Sequence, residues 1–335
     1  MPPAPDAHIL AKAFRLPDPI GPLAPVRYVS SETWRLDTIQ GSYFVKRLLV
    51  DGWRDQLEQA MAFERQAHHA GLPIPEPIEP TNPAWGLATD LGDTHGVVRV
   101  HTWLDSTPLP PDTDHTQWYG ATLATLHTLE PAGERRTDTM WPLWYGINAP
   151  QTWESWLAAG LGQGRTWAPL LKEQLALVTD LTERIETAYW AADDYVITHR
   201  DLVPHNVLMV PDRGPVLIDW DTAGPDSATL ETYAAALDYA RHTGTPEEPD
   251  LTNITAILAA YRSHGGILRP TEFALARRLG VHLARIAERI RITLGLQPGG
   301  SIDPAAAQTR LTQQLAALPG FSSRLIRWSQ QLTDH

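Results

Sequence analysis

The most informative part of the sequence is ITHRDLVPHN, residues 197–206, followed by VLIDWDTAG, residues 216–224. It contains Asp201, then Asn206 five residues later, then Asp219 at the end of an apolar run. This spacing is typical of phosphoryl transfer, in which a first carboxylate orients an attacking hydroxyl and accepts its proton. An asparagine oxygen and a later aspartate are suitable hard ligands for Mg²⁺ on nucleotide phosphates. The short run between them, residues 207–210, predicts a chain reversal that returns Asp219 to the side of Asn206.

A lysine in the N-terminal part supplies the cationic counterpart that this chemistry needs. Lys46 lies on the third of three short β-prone runs, and its ammonium can reach the α- and β-phosphates of a donor if a carboxylate holds it. Glu64, on a helix predicted over residues 53–70, is the candidate partner. Because the chain has only three lysines in 335 residues, a lysine at this point is informative.

Hydrophobic patterning divides the chain into two lobes and predicts an α+β fold. Residues 1–104 contain short β-prone runs, a hairpin turn near Gly41 and one amphipathic helix that Gly71 ends, which predicts a small β-rich N-lobe of five strands and a helix. Residues 105–335 are mainly helical and form the predicted C-lobe, with the catalytic segment inside it. The amphipathic stretches of the C-lobe are 117–129, 170–192, 230–242, 251–263, 272–294 and 304–318.

These motifs resemble the aminoglycoside phosphotransferase family, small-molecule kinases with the protein-kinase-like two-lobe fold. The resemblance runs from about residue 29 to about residue 237 and includes H-x-D-x-x-P-x-N, I-D-W-D-x-A-G-P and the Gly-Leu-Pro-Ile-Pro sequence after the first long helix. It implies that Asp201 is the catalytic base, that Asn206 and Asp219 are the metal ligands, and that Lys46 and Glu64 form an ion pair on the phosphate side.

The resemblance also implies where the nucleotide binds. Ser30 and Ser31 would belong to a loop over the phosphates that lacks the glycines of protein kinases, and Val100 and Trp103 would belong to the hinge beside the purine, at about residues 98–104. The metal motif reads Asp-Trp-Asp and no Ala-Pro-Glu segment follows, so a peptide acceptor is not expected. The implied donor is ATP or GTP with Mg²⁺, and the sequence does not choose between the two purines.

Acidic residues after the metal motif suggest an acceptor site for a cationic molecule. Glu231 and Asp238 are seven residues apart, so on one helix they share a face, and Asp226 precedes them. Asp221 has two interpretations, a second metal ligand near the acceptor or a residue that only fixes its loop. Solvated or helix-capping carboxylates are the alternative interpretation for the other three.

Composition excludes several classes of protein. The net charge of −12 disfavours a nucleic-acid partner, and the absence of cysteine excludes disulfides and thiolate chemistry. No uncharged apolar stretch is long enough to cross a membrane, and the first residues do not resemble a signal peptide, so we expect a cytoplasmic protein. Monomer and homodimer are both consistent with the sequence.

Three alternatives remain for the function. An antibiotic of the aminoglycoside type is the first hypothesis for the acceptor, and a choline-like or amino-sugar-like metabolite is the second. A kinase-like binding module without activity is the third, although the base, the metal ligands and the lysine are all present. The run before Asp-Trp-Asp-Thr also approaches the nucleophile motif of haloacid-dehalogenase-like phosphatases, but these need a downstream lysine, and no lysine follows Lys172.

Overall fold

The computed structural model describes residues 4–26, 32–48, 54–92, 94–133, 144–245, 247–297 and 302–333. The helices are α1 (Ala7–Phe14), α2 (Arg54–His69), α3 (Thr116–Leu129), α4 (Pro150–Gly162), α5 (Ala168–Ala191), α6 (Ala228–Thr243), α7 (Leu251–Ser263), α8 (Ala276–Leu294) and α9 (Pro304–Thr333). The strands are β1 (Ala24–Val26), β2 (Glu32–Thr38), β3 (Gly41–Arg47), β4 (Pro77–Ile78), β5 (Ala88–Asp90), β6 (Val97–Thr102), β7 (Thr107–Pro108), β8 (Tyr195–Thr198), β9 (Val207–Val210), β10 (Gly214–Leu217) and β11 (Gly224–Ser227).

An antiparallel sheet near the N-terminus positions Lys46. Its described strands have the order β1-β2-β3-β6-β4, and β5 also pairs with β6, so the sheet has six strands where the sequence predicts five. In the β3–β6 ladder Lys46 lies opposite Arg99, and Val45 lies opposite Val100. Because successive residues of a strand point to opposite faces, Lys46 and Arg99 share one face and the two valines share the other.

Helix α1 covers the apolar face of this sheet. Leu10 and Phe14, both buried, pack in one cluster with Val45, Val98 and Val100 of the sheet. The side chain of Asp6 caps the helix by accepting from the N–H groups of the first turn. The helix therefore belongs to the hydrophobic core of the sheet and leaves the opposite face to the polar residues.

Helix α2 carries Glu64 and ends as the sequence predicts. Gly71 adopts a φ of +81°, the left-handed conformation that favours glycine at this position, and the N–H of Leu72 donates to the carbonyl of Ala67 at 3.1 Å. Leu57 and Met61 pack against the edge of the sheet, in a cluster that includes Trp85 and Leu87. This packing fixes the helix that presents Glu64.

A second, three-stranded sheet holds the catalytic segment. Strands β9 and β10 form an antiparallel hairpin in which Leu217 lies opposite Val207, and β7 pairs with the other edge of β9. The chain reversal predicted after Asn206 is therefore present.

The chain forms two compact units. The first comprises Met1–Pro131, Ile197–Gly224 and Ala235–Gly266, so it includes the whole predicted N-lobe together with the catalytic hairpin. The second comprises Ala132–Val196, Pro225–Ala234 and Ile267–His335 and is built mainly of helices α4, α5, α8 and α9. Within the ranges that the structure describes, no helix is both long and apolar enough to cross a membrane.

Helix α9 in the second unit is longer than predicted. The sequence predicts an end at residue 318, before Pro319, but the helix continues to Thr333. Proline lacks the N–H that would donate to the carbonyl four residues earlier, which leaves the carbonyl of Leu315 without its helical donor. The side-chain amide of Gln174 donates to that carbonyl at 2.6 Å. A long-range hydrogen bond thus compensates for the proline, and a local pattern does not reveal it.

Candidate active site

Lys46 lies between the two aspartates of the metal motif. Its Nζ is 2.7 Å from Oδ1 of Asp219 and 2.6 Å from Oδ2 of Asp221. Burial disfavours the charged ammonium, but the charges of Asp221 and Asp219 outweigh burial and raise the pKa of Lys46 above its ordinary value. The side chain therefore remains a cation at neutral pH, and it joins β3 to a loop 173 residues further along the chain.

Asp219 follows β10 in an uncommon backbone conformation. Its φ of 66° and ψ of 66° lie in the left-handed region, which costs a residue other than glycine about 1–3 kcal/mol. The N–H of Ile218 donates to the carbonyl of Asn206 at 2.9 Å, so Asp219 returns to the side of Asn206 as the sequence predicts. This backbone conformation turns the chain sharply at Asp219, which leads into the short helical turn Trp220–Thr222.

Asn206 connects the two halves of the predicted motif. Its side-chain amide donates to Oδ2 of Asp201 at 2.8 Å and to the carbonyl oxygen of Asp201 at 3.0 Å. The side-chain oxygen of Asn206 is buried and has no hydrogen-bond partner among the described residues. The amide therefore uses its donors to hold Asp201 and leaves one acceptor for another group.

His199 supports the catalytic loop from inside the core. The N–H of Asp201 donates to Nδ1 of His199 at 3.2 Å, so the imidazole proton is on Nε2, which donates to the carbonyl of Ile218 at 3.0 Å. The ring is fully buried and packs edge-on against Trp220. These contacts make His199 a framework residue of the loop that carries Asp201.

Arg200 also has a left-handed backbone, with a φ of 64°. Its buried guanidinium donates from Nε to the carbonyl of Thr222 at 2.7 Å. This hydrogen bond connects the loop that carries Asp201 to the turn that follows Asp219. Gly224 leaves room for it, because a Cβ there would lie 2.9 Å from Cζ of Arg200. The arginine at this position thus has a structural explanation.

Glu64 has different partners from the one predicted. Its carboxylate binds Nη2 of Arg99 through Oε2, and its Oε1 lies 2.8 Å from Nε2 of His101, whereas Lys46 binds Asp219 and Asp221. Burial disfavours the charged form of Glu64, but the charges and hydrogen bonds of Arg99 and His101 together outweigh burial, so the pKa of Glu64 falls below its ordinary value.

Arg99 is a member of this cluster of charges that sequence reasoning misses. It lies within the predicted hinge segment, and only its register opposite Lys46 shows that it shares the polar face. Its Nη1 donates to Oδ1 of Asp221 at 3.0 Å while its Nη2 binds Glu64. The sequence does contain one indication of this role. Arg99 comes two residues before His101 on a strand that is otherwise mostly apolar, and this spacing places both side chains on one face.

These side chains line a cavity of about 440 Å³ within the first unit. The lining contains both the residues of the ion pairs and apolar side chains. The apolar lining includes Val26, Phe44, Leu208 and Ile218. Among the residues predicted to bind nucleotide, Lys46, Glu64 and Trp103 line it, as do Asp219 and Asp221.

The other predicted nucleotide contacts differ in their placement. Val100 is 1% exposed and belongs to the apolar cluster on the opposite face of the sheet, because strand alternation separates it from Lys46. Ser30 and Ser31 lie outside the described residues. The indole of Trp103 donates to Oδ1 of Asp105 at 3.0 Å at the cavity's edge.

The residues predicted to bind the acceptor have different surroundings. Asp221 has both oxygens bound to cations, Lys46 and Arg99, which favours the interpretation that it fixes its loop. Glu231 is 1% exposed, and Asp238 lies 3.7 Å from Arg241.

Asp226, the other acidic residue of this segment, is buried within the second unit. It accepts a hydrogen bond of 2.6 Å from Nε of Arg277, and burial raises the pKa of its carboxyl. Burial of Asp226 and Glu231 does not favour direct contact with a substrate.

Comparisons with solved structures find similar folds among kinases of small molecules. Spectinomycin phosphotransferase APH(9)-Ia, solved with ADP and spectinomycin, has a TM-score of 0.64 at 14% identity, with 92% of each chain covered. Amicoumacin kinase hAmiN, solved with AMP-PNP, Ca²⁺ and Ami, has a TM-score of 0.61 at 12% identity, with 92% of this chain and 90% of that chain covered. A microcompartment-associated aminopropanol kinase has a TM-score of 0.59 at 16% identity, with 96% and 99% covered.

Sequence comparison identifies the family directly. No curated protein sequence matches the chain. The sequence model of the phosphotransferase enzyme family (APH) matches residues 25–267, which include Lys46, the catalytic loop and the metal motif. The similar folds agree with the predicted α+β, protein-kinase-like class. The chain therefore belongs to the phosphotransferase enzyme family, and it is a phosphotransferase whose acceptor is a hydroxyl group.

Proposed function

We propose that the protein transfers the γ-phosphoryl group of ATP or GTP, with Mg²⁺, to a hydroxyl group of a small polar molecule. The observation that carries the proposal is the ion pair of 2.7 Å between Lys46 and Asp219 in the lining of the cavity. It joins the predicted phosphate-binding cation to the predicted metal ligand.

The cavity fits the donor in size and in polarity. Small-molecule sites usually have volumes of about 300–1,000 Å³ and apolar walls with a few polar groups. This cavity has about 440 Å³, with Phe44 on one wall and Leu208 and Ile218 among its other apolar lining residues. A purine base would lie between these side chains, and its phosphates would reach Lys46.

The oxygen atoms of Asn206 and Asp219 fit the predicted magnesium site. The side-chain oxygen of Asn206 is buried without a hydrogen-bond partner, as a ligand atom would be, and Asp219 supplies a carboxylate. Within the described ranges, no group of three or more His, Asp or Glu side chains could hold a metal ion. Mg²⁺ often binds through one or two carboxylates and substrate phosphates, so a set of this size is sufficient. When bound, the metal would neutralise charge on the donor phosphates.

Asp201 would accept the proton of the acceptor hydroxyl. Asn206 occupies Oδ2 of the carboxylate, which leaves Oδ1 for the hydroxyl. As the acceptor oxygen bonds to the γ-phosphorus, the bond from that phosphorus to the bridging oxygen breaks. The hydroxyl proton passes to Asp201, and the nucleoside diphosphate leaves. Lys46 would stabilise the charge that develops on the donor oxygens.

Two classes of small molecule are candidates for the acceptor. A hydroxylated antibiotic remains our first hypothesis, and an amino alcohol or amino sugar from metabolism is the alternative. The protein kinase-like fold of spectinomycin phosphotransferase and of aminopropanol kinase accommodates acceptors of both kinds. A cytoplasmic location, where nucleoside triphosphates are available, fits the proposed donor.

A ³¹P nuclear magnetic resonance screen would test the proposed function. Purified protein with Mg²⁺ and either ATP or GTP would be incubated with hydroxylated antibiotics, amino alcohols and amino sugars. We expect a new phosphomonoester signal that depends on acceptor and enzyme and is absent with the Asp201→Ala variant. Failure of the wild-type protein to bind either nucleotide would contradict the proposal. Nucleotide binding without transfer to any acceptor would favour the silent binding module.

A further inference from the structure

We propose that Arg99 is a positioning residue of the phosphate site, acting on Lys46 through Asp221. This inference rests on the proposed function and assigns a role to a residue outside the family motif described above. It replaces the expected direct link from Glu64 to Lys46 by a chain of ion pairs from Glu64 to Arg99, from Arg99 to Asp221 and from Asp221 to Lys46.

The contacts of Arg99 show how this chain is built. Its guanidinium binds Glu64 through Nη2 and donates to Oδ1 of Asp221 through Nη1, at 3.0 Å. The other oxygen of Asp221 lies 2.6 Å from Nζ of Lys46. A planar guanidinium can bridge two carboxylates in this way, whereas an ammonium is a single point charge. Asp221 is therefore held between two cations from neighbouring strands.

Burial indicates that Arg99 acts through Asp221 and not by moving to the donor. The side chain of Arg99 is 3% exposed, and that of Glu64 is fully buried. A guanidinium that left Glu64 would leave a buried carboxylate without its charge partner, which is strongly unfavourable. Lys46, by contrast, is held by Asp219 and Asp221, which are about one-fifth exposed. Lys46 is the cation that reaches the phosphates, and Arg99 fixes one of the carboxylates that orient it.

The balance of charges determines how strongly the two aspartates hold Lys46. Glu64, Asp219 and Asp221 carry three negative charges, and Lys46 and Arg99 carry two positive charges. Without Arg99, the full attraction of Asp221 would fall on Lys46 and compete with the phosphates for it. With Arg99 present, Asp221 shares its charge between two cations, and Lys46 is held in place but less strongly retained.

The test replaces the buried pair by apolar residues of similar size, in the double variant Glu64→Leu, Arg99→Met. Such replacements often preserve folding, because both charges are removed together. The matched control is the double variant Glu32→Leu, Arg47→Met. These two residues lie opposite each other in the β2–β3 ladder, and Nη1 of Arg47 is 2.5 Å from Oε2 of Glu32. Arg47 is also buried but follows Lys46 in the strand and so points to the other face.

The first measurement is the affinity for Mg·ADP and Mg·AMP-PNP by calorimetry, with folding checked by circular dichroism. We expect the Glu64/Arg99 variant to bind at least about tenfold more weakly, and the Glu32/Arg47 variant to bind within about threefold of the wild type. The single variant Arg99→Lys should also bind more weakly, because one ammonium cannot bridge Glu64 and Asp221.

The second measurement follows Lys46 itself. Amine acylation mapped by peptide mass is clear in this chain, because the only other lysines are Lys12 and Lys172, both exposed. These two serve as internal references. We expect Lys46 to be acylated at a different rate in the folded Glu64/Arg99 variant from that in the wild type, while the reference rates stay equal.

The outcomes separate this inference from the proposed function. Wild-type affinity and an unchanged Lys46 acylation rate in the folded Glu64/Arg99 variant would overturn the positioning role and leave the kinase proposal intact. Wild-type affinity of Arg99→Lys would overturn the requirement for a bridging guanidinium. If the wild-type protein bound neither nucleotide, the proposed function itself would fail. Should the double variant not fold, Arg99→Lys supplies the same comparison.

Discussion

Asn206 holds Asp201 by two hydrogen bonds from one amide group, to the carboxylate at 2.8 Å and to the main-chain carbonyl at 3.0 Å. The side chain of one residue thereby fixes both the position and the orientation of the other. The loop needs no contact from an acceptor to bring the carboxylate into place. In the proposed reaction, Asp201 would thus already be in place to accept a proton.

Removal of the carboxylate should affect turnover and not donor binding. We expect Asp201→Ala to lower kcat by about 10²–10⁴-fold, the range for loss of a positioned general base. The Kd for Mg·ATP or Mg·GTP should stay close to the wild-type value, because Asp201 does not line the cavity. Steady-state kinetics with an identified acceptor and calorimetry with nucleotide would measure both effects. A folded variant that keeps about a tenth or more of wild-type kcat would falsify the assignment.

Asp219 allows its charge and its backbone conformation to be tested separately. Asn tolerates the left-handed region better than Ala, so Asp219→Asn removes the charge with little strain, whereas Asp219→Ala also loses about 1–2 kcal/mol of stability. Both variants should weaken Mg²⁺-dependent nucleotide binding, because neither has a carboxylate at the phosphate end. Calorimetry with and without Mg²⁺ and thermal unfolding would separate the two effects. Equal stability of the two variants would contradict the argument from strain.

Buried His101 should make the stability of the protein depend on pH. Burial and the charge of Arg99 lower the pKa of His101 below its ordinary value of 6.5. In the unfolded chain this histidine takes up a proton near that pH, while in the folded chain it does so only at lower pH. The stability it contributes is therefore present above about pH 6.5 and is lost as pH falls through the lowered folded pKa.

The variant His101→Gln tests this dependence. We expect its Tm to fall less than that of the wild type between about pH 7.5 and about pH 5.5. His69, exposed at the end of α2, supplies the control His69→Gln, which should follow the wild-type curve. Parallel pH profiles for wild type and His101→Gln would show that another group is responsible. The lowered pKa of Glu64 acts in a more acidic range, below its ordinary value of 4.5.

Two glycines in helices should respond in opposite ways to alanine. At Gly120 in α3, a Cβ would lie 2.5 Å from Cβ of Ala260 and 2.6 Å from the backbone nitrogen of Tyr261 in α7. At Gly162, at the end of α4, a Cβ would meet nothing within 4 Å. Gly120→Ala should lower stability by about 1–3 kcal/mol through overpacking. Gly162→Ala should change it by less than about 1 kcal/mol, in the stabilising direction. Denaturant unfolding would measure the free energy of unfolding of both variants. A Gly120→Ala variant at least as stable as Gly162→Ala would show that the contact between α3 and α7 is loose.

The catalytic segment was predictable because its information is local. Asp201 and Asn206 come before the hairpin of β9 and β10, and Asp219 comes after it, so one short chain reversal brings Asp219 back to the side of Asn206. The helix that carries Glu64 was predictable for the same reason, since periodicity and Gly71 define it.

The partners of Glu64 were not predictable in this way. They depend on the register between β3 and β6, which places Arg99 opposite Lys46. A shift of that register by one residue would turn Arg99 to the apolar face, and no short pattern in the sequence specifies it. The role of the predicted acceptor residues stays a prediction for a related reason. The spacing of Glu231 and Asp238 describes a helix face but not whether tertiary packing buries it.

The left-handed conformations of Arg200 and Asp219 were also beyond local rules. Those rules assign such geometry mainly to glycine, less often to asparagine or aspartate, and they do not point to these two positions. Here the hydrogen bond from Arg200 to Thr222 and the ion pair of Asp219 with Lys46 compensate for it. Only the assembled site shows these compensating interactions.

Helix α1 shows that the hydrophobic core of the N-terminal sheet extends beyond the residues that match the family sequence model. The family match begins at residue 25, yet Leu10 and Phe14 complete the core under Val45 and Val100. Substitution of Leu10 or Phe14 by a small residue should therefore destabilise the sheet, even though the family match does not include these positions. A chimaera between this protein and a relative should therefore take α1 and the sheet that it covers from the same parent.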